Sequence, residues 1–458
     1  VAAALIVGVP ALRIKGLFLA VITLGFGLAV RNWLIFDKGL SKEGGIAKLA
    51  VTRGKGFKLL FWEVKGSNFH GVYWFCLLLA AIALLIVWQI RRTGVGRSII
   101  AVRDNENSAA AYTVSGTKMK ILAFAISGGL AALAGGLMPL TAISGTFEVN
   151  PGNQIFDVDQ SLRIVAVAVV GGIASITGAV IGTILIVALP IFFDGTPQVK
   201  LFASGIGMLI VLLYFPGGLI SILHSWRDML LGYVARRTGW EPKRNTQTGT
   251  VASIASIKTH DENSKKPLVT RDVVVRFGGR VARDHVSIDV NPGEIVGLIG
   301  TNGAGKSTLM NAISGFLPCE GEIVLFGTEA HDKAAARRAR LGIGRAFQNA
   351  RLFASLSVRE TLMVALEARE RSWLVPSMFS LPPSPMAEKR KRKQANEIIG
   401  YLGLTRYADS LMGELSTGST SPPPVWPSVR PKPSDRSSSR SARSSAHRSS
   451  SSSTTCRW

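Results

Sequence analysis

Few folds accommodate the stretch Gly300-Thr301-Asn302-Gly303-Ala304-Gly305-Lys306-Ser307-Thr308. An apolar, strand-like run, Ile295-Val296-Gly297-Leu298-Ile299, leads into it, and Leu309-Met310-Asn311-Ala312-Ile313 reads as the start of a helix. Strand, Gly-rich loop and helix in that order make G-x-x-x-x-G-K-[ST] a phosphate-binding loop rather than a ligand-free glycine turn. Glycines let backbone N–H groups curl around phosphate oxygens, and the following helix offers its positive end. Gly300, Asn302, Gly303, Ala304, Gly305, Lys306, Ser307 and Thr308 are therefore the candidate nucleotide-binding residues. Lys306 reaches the β- and γ-phosphates as a point charge, which also makes it a catalytic candidate. The Ser307 hydroxyl is a candidate ligand for Mg²⁺. Taken alone, the loop suits a GTPase or a kinase as well as an ATPase.

The rest of the chain narrows that choice. Its 458 residues are enough for two or three domains. Its apolar residues concentrate before residue 225, where several runs match the roughly 20 apolar residues that span a bilayer. Leu17–Phe36, Val72–Ile90, Met119–Thr146 and Val199–Leu223 are such runs, and Val1–Leu12 reads as the remnant of another. Trp74 and Trp88 lie near the ends of the second, where aromatic rings favour the interface. Arg91, Arg92, Arg97 and Arg103 follow it and Lys118 and Lys120 precede the next, which places 91–120 in the cytoplasm. Parity then makes Ser161–Phe193, with Gly171-Gly172, Gly178 and Gly182 in its middle, two short helical arms or a re-entrant pair rather than one long helix. Loop 37–71 goes against this scheme, since it falls outside yet carries six Lys and one Arg.

The formal charge of +24 arises from 53 basic and 29 acidic residues. Most of the excess is juxtamembrane, linker or tail, so no nucleic-acid partner is expected. The run Lys389-Arg390-Lys391-Arg392-Lys393 reads as a solvated helix face. Cys76, Cys319 and Cys456 lie far apart, with neither metal nor redox spacing.

Between two spans, Gly94-Val95-Gly96-Arg97, then Ala101-Val102-Arg103-Asp104-Asn105-Glu106, form a polar, amphipathic stretch suited to a cytoplasmic helix. Residues 11–33, 96–137 and 167–178 (Val-Ala-Val-Val-Gly-Gly-Ile-Ala-Ser-Ile-Thr-Gly) together resemble the permease of branched-chain amino acid ABC importers. The resemblance implies that 96–116 is the coupling helix that docks on an ATPase. It also implies that the family's first transmembrane helices, which precede the block at residue 11, are missing here.

Residues 233–266 are polar, without an apolar period, and read as a flexible linker. Beyond them, Leu268–Phe277, Val286–Val290 and Ile323–Gly327 read as strands, and Ala334–Arg340 and Ala387–Leu402 as basic, amphipathic helices. Residues 267–420 resemble the first part of the ATP-binding subunit of the same importers. Arg276-Phe277-Gly278-Gly279 matches the adenine-stacking segment, so Phe277 is the stacking candidate. Gly344-Arg345-Ala346-Phe347-Gln348-Asn349 matches the Q-loop, which gives Gln348 a place at Mg²⁺ or the attacking water and a catalytic role. Glu414-Leu415-Ser416-Thr417-Gly418-Ser419 matches a variant ABC signature, whose Ser416 and Gly418 would clasp the nucleotide of an opposite subunit.

The family pattern stops there. Residues 421–458 hold six Arg, Lys432 and one carboxylate, Asp435, with Ser449–Ser453 unbroken. Such a segment cannot bury a core. The Asp-Glu pair and switch His of the family are not found, and Asp261-Glu262 in the linker is no substitute. Either a disordered tail or a reading-frame shift in a GC-rich gene accounts for it, the latter turning NTC codons into Ser and GCC codons into Pro.

The expected architecture is a polytopic α-helical membrane domain (1–232), a linker, an incomplete α/β P-loop ATPase domain of the ABC type (267–420) and a low-complexity tail. The resemblance implies ATP and Mg²⁺ as cofactors and a place in the bacterial inner membrane with the ATPase cytoplasmic. It further implies a second permease subunit, a second ATP-binding subunit and an extracytoplasmic solute-binding protein as partners. It implies membrane lipid around the spans and, as substrate, a branched-chain amino acid or a similar small polar solute. The missing carboxylate implies impaired hydrolysis. A nucleotide-binding membrane protein that does not transport, or a non-functional product of a frameshifted gene, remain the alternatives.

Overall fold

The computed structural model describes residues 17–30, 50–52, 57–59, 62–64, 69–141, 146–148, 158–172, 175–188, 218–238, 266–277, 280–347 and 353–416, with Gly8 and Leu213 as single positions. In chain order the first elements are α1 (Leu17–Ala29), β1 (Ala50–Thr52), β2 (Phe57–Leu59), β3 (Trp62–Val64) and α2 (Phe69–Arg92). Then come α3 (Gly94–Asp104), α4 (Glu106–Ala111), α5 (Gly116–Leu137), β4 (Thr146–Glu148), α6 (Val158–Gly171), α7 (Ile176–Thr183) and α8 (Leu219–Thr238). The remainder holds β5 (Leu268–Phe277), β6 (Arg280–Val290), α9 (Lys306–Ile313), β7 (Glu320–Leu325), β8 (Thr328–Glu329) and α10 (Ala335–Leu341). It ends with α11 (Val358–Leu366), α12 (Leu374–Met378), α13 (Ser384–Tyr401) and α14 (Met412–Ser416).

Two compact units arise. The first takes residues 1–93, 117–246 and 373–382, and the second takes 94–116, 247–372 and 383–458. Among the described residues of the first, two helices are long and apolar enough to cross a membrane, over His70–Arg92 and Gly116–Leu140. At 1.5 Å per residue, the 24 residues of α2 reach about 36 Å, more than a hydrocarbon core of about 30 Å. Its Leu77, Leu78, Ile82, Leu84 and Leu85 face outward, an apolar surface of the kind that meets lipid. Within the expected 161–193 the described residues form two arms: α6 ends at Gly171, and α7 restarts behind an N-cap in which Ser175 Oγ accepts from Gly178 N at 3.1 Å; 189–193 lie outside the described residues. A Cβ on Gly171 or Gly178 would strike the other's backbone carbonyl, so glycine lets the arms pack at backbone distance. The span expected at 17–36 is described as α1 alone, and most of 199–223 lies outside the described residues.

In the second unit a four-stranded antiparallel sheet runs β6-β5-β7-β8. The strands expected at 268–277, 286–290 and 323–327 fall on β5, β6 and β7. The pairing Leu268↔Leu325 and Thr270↔Ile323 sets β7 beside β5, and Val273, Val275, Ile323 and Leu325 pack with Leu309, Ala312 and Ile313 of α9 in one apolar core. Each fully buried valine, leucine or isoleucine among them contributes about 1.5–3 kcal/mol relative to exposure.

Residues 295–299 differ from expectation. They form no ladder with any described strand, and Ile295 and Ile299 are 67% and 99% exposed. Apolar content alone does not make a strand; a neighbour must pair with it, and the described sheet ends elsewhere.

Candidate nucleotide-binding site

The phosphate loop is built by backbone geometry. Gly303 and Gly305 stand at φ of +87° and +77°, in the left-handed region where glycine has no steric cost. Nothing lies within 4 Å of a Cβ placed on Gly303, so the requirement there is conformational rather than spatial. α9 starts at Lys306 with Gly305 as N-cap and no side-chain hydrogen bond closing that end. The first amides of the helix therefore point at the loop mouth, together with its dipole. Lys306 Nζ donates to Gly300 O at 2.7 Å and Thr301 O at 2.9 Å, which holds the ammonium over the mouth. Ser307 and Asn302 are exposed beside it, while Ala304 and Thr308 are half-buried.

The structure thus brings together all the loop candidates, Gly300 to Thr308. The donor set of backbone amides, one ammonium and hydroxyls suits a polyphosphate. Among the described residues no three His, Cys, Asp or Glu side chains converge on a metal position. Toward Mg²⁺ the described part of the chain offers the Ser307 hydroxyl. Phe277 is the last residue of β5 and Ser416 the last of α14, while Gln348 and Gly418 lie outside the described residues. The segment entering Gln348 is anchored, however. Phe347 meets Phe316 edge-on at 5.6 Å, the Arg345 guanidinium covers both rings, and Arg345 Nη1 donates to Met310 O of α9 at 2.7 Å.

The second unit also contains the stretch between the two long apolar helices. Val95, Arg97, Ser98, Ala101 and Val102 of α3 and Ser108 and Ala109 of α4 are buried. The Asn105 side chain accepts from Ser108 N at 3.0 Å and caps α4, which turns the corner between the helices. Arg97, 4% exposed, forms an ion pair with Glu388 of α13, and Gly94 N donates to the other Glu388 oxygen at 2.9 Å. Lys391, fully buried, pairs with that oxygen at 2.8 Å and with Glu367 at 2.6 Å; Ser372 Oγ donates to Glu388 Oε1 at 2.8 Å. Two cations face two carboxylates, so the buried network is neutral. Burial pushes the Glu388 carboxyl up, but Arg97 and Lys391 outweigh it and hold the group below its ordinary value.

At the other end, Asp104 accepts from Ser355 N at 2.8 Å, and Arg103 donates to Ser355 Oγ at 2.6 Å. Tyr112 meets the fully buried Phe353 edge-on at 5.9 Å, and Arg340 donates to Thr113 O at 2.9 Å. The solvated face expected at 389–393 needs correction. Lys389, Arg390, Arg392 and Lys393 are exposed, but Lys391 points inward because Glu367 and Glu388 give its charge a partner. Sequence reasoning missed Glu367, Ser372 and Glu388. A lone arginine among Gly94, Val95, Gly96 and Ser98 was the available signal that a carboxylate must face it.

Residues 1–213 match the family described as the permease component of a branched-chain amino acid transport system, and residues 283–421 match the ABC transporter family. The high-affinity branched-chain amino acid transport ATP-binding protein LivG of Escherichia coli (strain K12) is 33% identical over 156 residues, 34% of this chain and 61% of that protein. The probable LivG of Methanocaldococcus jannaschii is 36% identical over 152 residues, 33% of this chain and 58% of that one. A solved nucleotide-free ATP-binding cassette from an ABC transporter is 35% identical, covering 33% of this chain and 60% of that one, with a TM-score of 0.27. The chain spans about three-fifths of the length of these ATP-binding relatives. The two matches together support a chain that joins a membrane permease domain, over residues 1–213, to an ABC ATPase domain, over residues 283–421.

Proposed function

We propose that the chain serves as permease and ATP-binding component of an importer for branched-chain amino acids or a similar small polar solute. One observation carries the reading: of the helix pair that follows α2 and precedes α5 in the chain, α3 is held in the ATPase fold by the Arg97–Glu388–Lys391 network, and α4 packs against α10. A helix pair continuous with apolar helices at both ends and clamped into a nucleotide-binding fold can transmit nucleotide state to a membrane domain.

In this reading Gly300, Asn302, Gly303, Ala304, Gly305, Lys306, Ser307 and Thr308 hold the ATP phosphates, and Phe277 stacks on the base. Ser307 and Gln348 serve Mg²⁺. Ser416 and Gly418 reach a nucleotide on a second ATP-binding subunit. Bound ATP supplies the phosphoanhydride whose cleavage drives the cycle. Lys306 contributes a fixed positive charge at the loop mouth, and the amides at the start of α9 contribute oriented donors. A second permease subunit and an external solute-binding protein complete the assembly in a bacterial inner membrane, with the ATPase in the cytoplasm. Turnover by the chain alone is slow in this reading, because residues 421–458 contain no Glu and a single Asp.

Uptake of labelled leucine, isoleucine and valine by cells carrying the chain or its Lys306→Ala variant tests the proposal. Uptake should fall to background in the variant. Equal uptake in both would sink the transport role, and nucleotide binding without any uptake would establish a non-transporting, nucleotide-binding membrane protein instead.

A further inference from the structure

Trp373-Leu374-Val375-Pro376-Ser377-Met378-Phe379-Ser380-Leu381-Pro382 lies inside the match to the ABC transporter family, yet it groups with the first unit rather than with the ATPase fold around it. Its helix α12 packs against α2, and Gln89 Nε2 donates to Ser380 Oγ. That contact is near the end of α2, where the Arg92 guanidinium lies 4.1 Å from the Trp88 ring centroid and Arg91 and Arg92 are exposed. An aromatic followed by arginines at the end of an apolar helix marks the headgroup level of a bilayer.

The segment is built for that level. Ser377 is fully buried, while Trp373, Val375, Phe379 and Leu381 are 64%, 60%, 58% and 50% exposed. Four large apolar groups within nine residues are unusual on a surface that meets water. In sequence the segment is bracketed by Arg369 and Arg371 before it and the exposed Lys389, Arg390, Arg392 and Lys393 after it, which suits anionic headgroups.

We propose that residues 373–382 are an interfacial anchor by which the ATPase polypeptide inserts Trp373, Val375, Phe379 and Leu381 into the headgroup–acyl boundary beside α2. The occupant of this face is the lipid leaflet, continuous with the lipid around α2. The proposal rests on the reading that α2 crosses the bilayer.

The test uses the full chain in nanodiscs containing anionic lipid, with Cys76, Cys319 and Cys456 replaced by Ala. Single cysteines at Val375, Phe379, Leu84 or Lys389 carry an environment-sensitive fluorophore, quenched either by aqueous iodide or by lipids spin-labelled at shallow and deep positions. At 375 and 379 the shallow spin label should quench several-fold more than the deep one, as for a group about 5–10 Å into the interface. Iodide should quench them several-fold less than it quenches Lys389→Cys. Iodide access at 375 and 379 equal to that at 389 overturns the proposal. So does a label reached by neither quencher, which would place a protein partner or a second copy on this face. The Leu84→Cys label separates the two readings: lack of quenching by the deep label there would remove the membrane span itself.

Discussion

Truncating Arg97 to Ala should release α3 from the ATPase fold without unfolding that fold. Arg97 and Glu388 are 4% and 17% exposed, so water screens their pairing weakly. After truncation Glu388 retains Lys391 at 2.8 Å and the Gly94 amide at 2.9 Å, but the four-charge network is left with one uncompensated negative charge. Removing one partner of a buried pair costs about 3–5 kcal/mol, and the surviving Lys391 puts this case near the lower end, at about 3 kcal/mol. At about 1.4 kcal/mol per tenfold, that is on the order of 100-fold in the equilibrium between seated and released α3. Hydrogen exchange of the 95–104 amides reads this directly, and their protection should fall by about that factor. Replacing both Arg97 and Glu388 with Met should cost much less than the two single changes together, because no orphaned charge remains. Protection in the Arg97→Ala protein within about twofold of wild type, or a double variant equal to the sum of the singles, would show that the charge network does not seat α3.

Acid should act through the same network. Because the Glu388 carboxyl is held below its ordinary value of 4.5, its contribution is fully present above that pH and is lost as pH falls through the lowered value. Protection of α3 should stay level from neutral pH down to about 5 and fall below about 4.5, whereas a decline already at pH 6 would implicate another group. Arg338 is 2% exposed and donates to the carbonyls of Lys333, Ala312, Ile313 and His331 at 2.6–2.9 Å. Arg338→Met should therefore cost about 3 kcal/mol of ATPase-unit stability in denaturant titration, and a change below about 1 kcal/mol would contradict that role. Gly178→Val forces a side chain into the Gly171 carbonyl, so a loss of about 2 kcal/mol or more is expected, read as a lower apparent Tm of the detergent-solubilised chain. An unchanged Tm would show that the α6–α7 arms do not pack at backbone distance.

What the sequence revealed was local, and what it hid was not. The phosphate loop was readable because its residues, from Gly300 to Thr308, act through their own backbone and the next helix. The apolar helices at 72–90 and from 119 onward were readable because apolar length needs no partner, although the second stops at Leu140 and Thr146, expected at its end, opens β4. The inward turn of Lys391 was not, since its burial depends on Glu367 and Ser372 from one part of the chain and Glu388 from another. The same holds for Arg338, one basic residue among several on α10, whose acceptors come from the end of α9 and the turn before α10. In the opposite sense, 295–299 has the composition of a strand, but among the described residues no strand supplies a partner. The seat of α3 followed from the resemblance to a coupling helix, while the charges that hold it became visible only in three dimensions.

The most direct test of the account is equilibrium binding of Mg²⁺-ATP to the membrane-extracted chain, with Lys306→Ala beside it and phosphate release followed in the same samples. The account predicts saturable binding that weakens by about 10- to 100-fold in the variant, the effect of one charged hydrogen-bonding group, with little phosphate released by either. Binding that ignores Lys306, or no binding at all, would contradict a nucleotide site built on Gly300–Thr308.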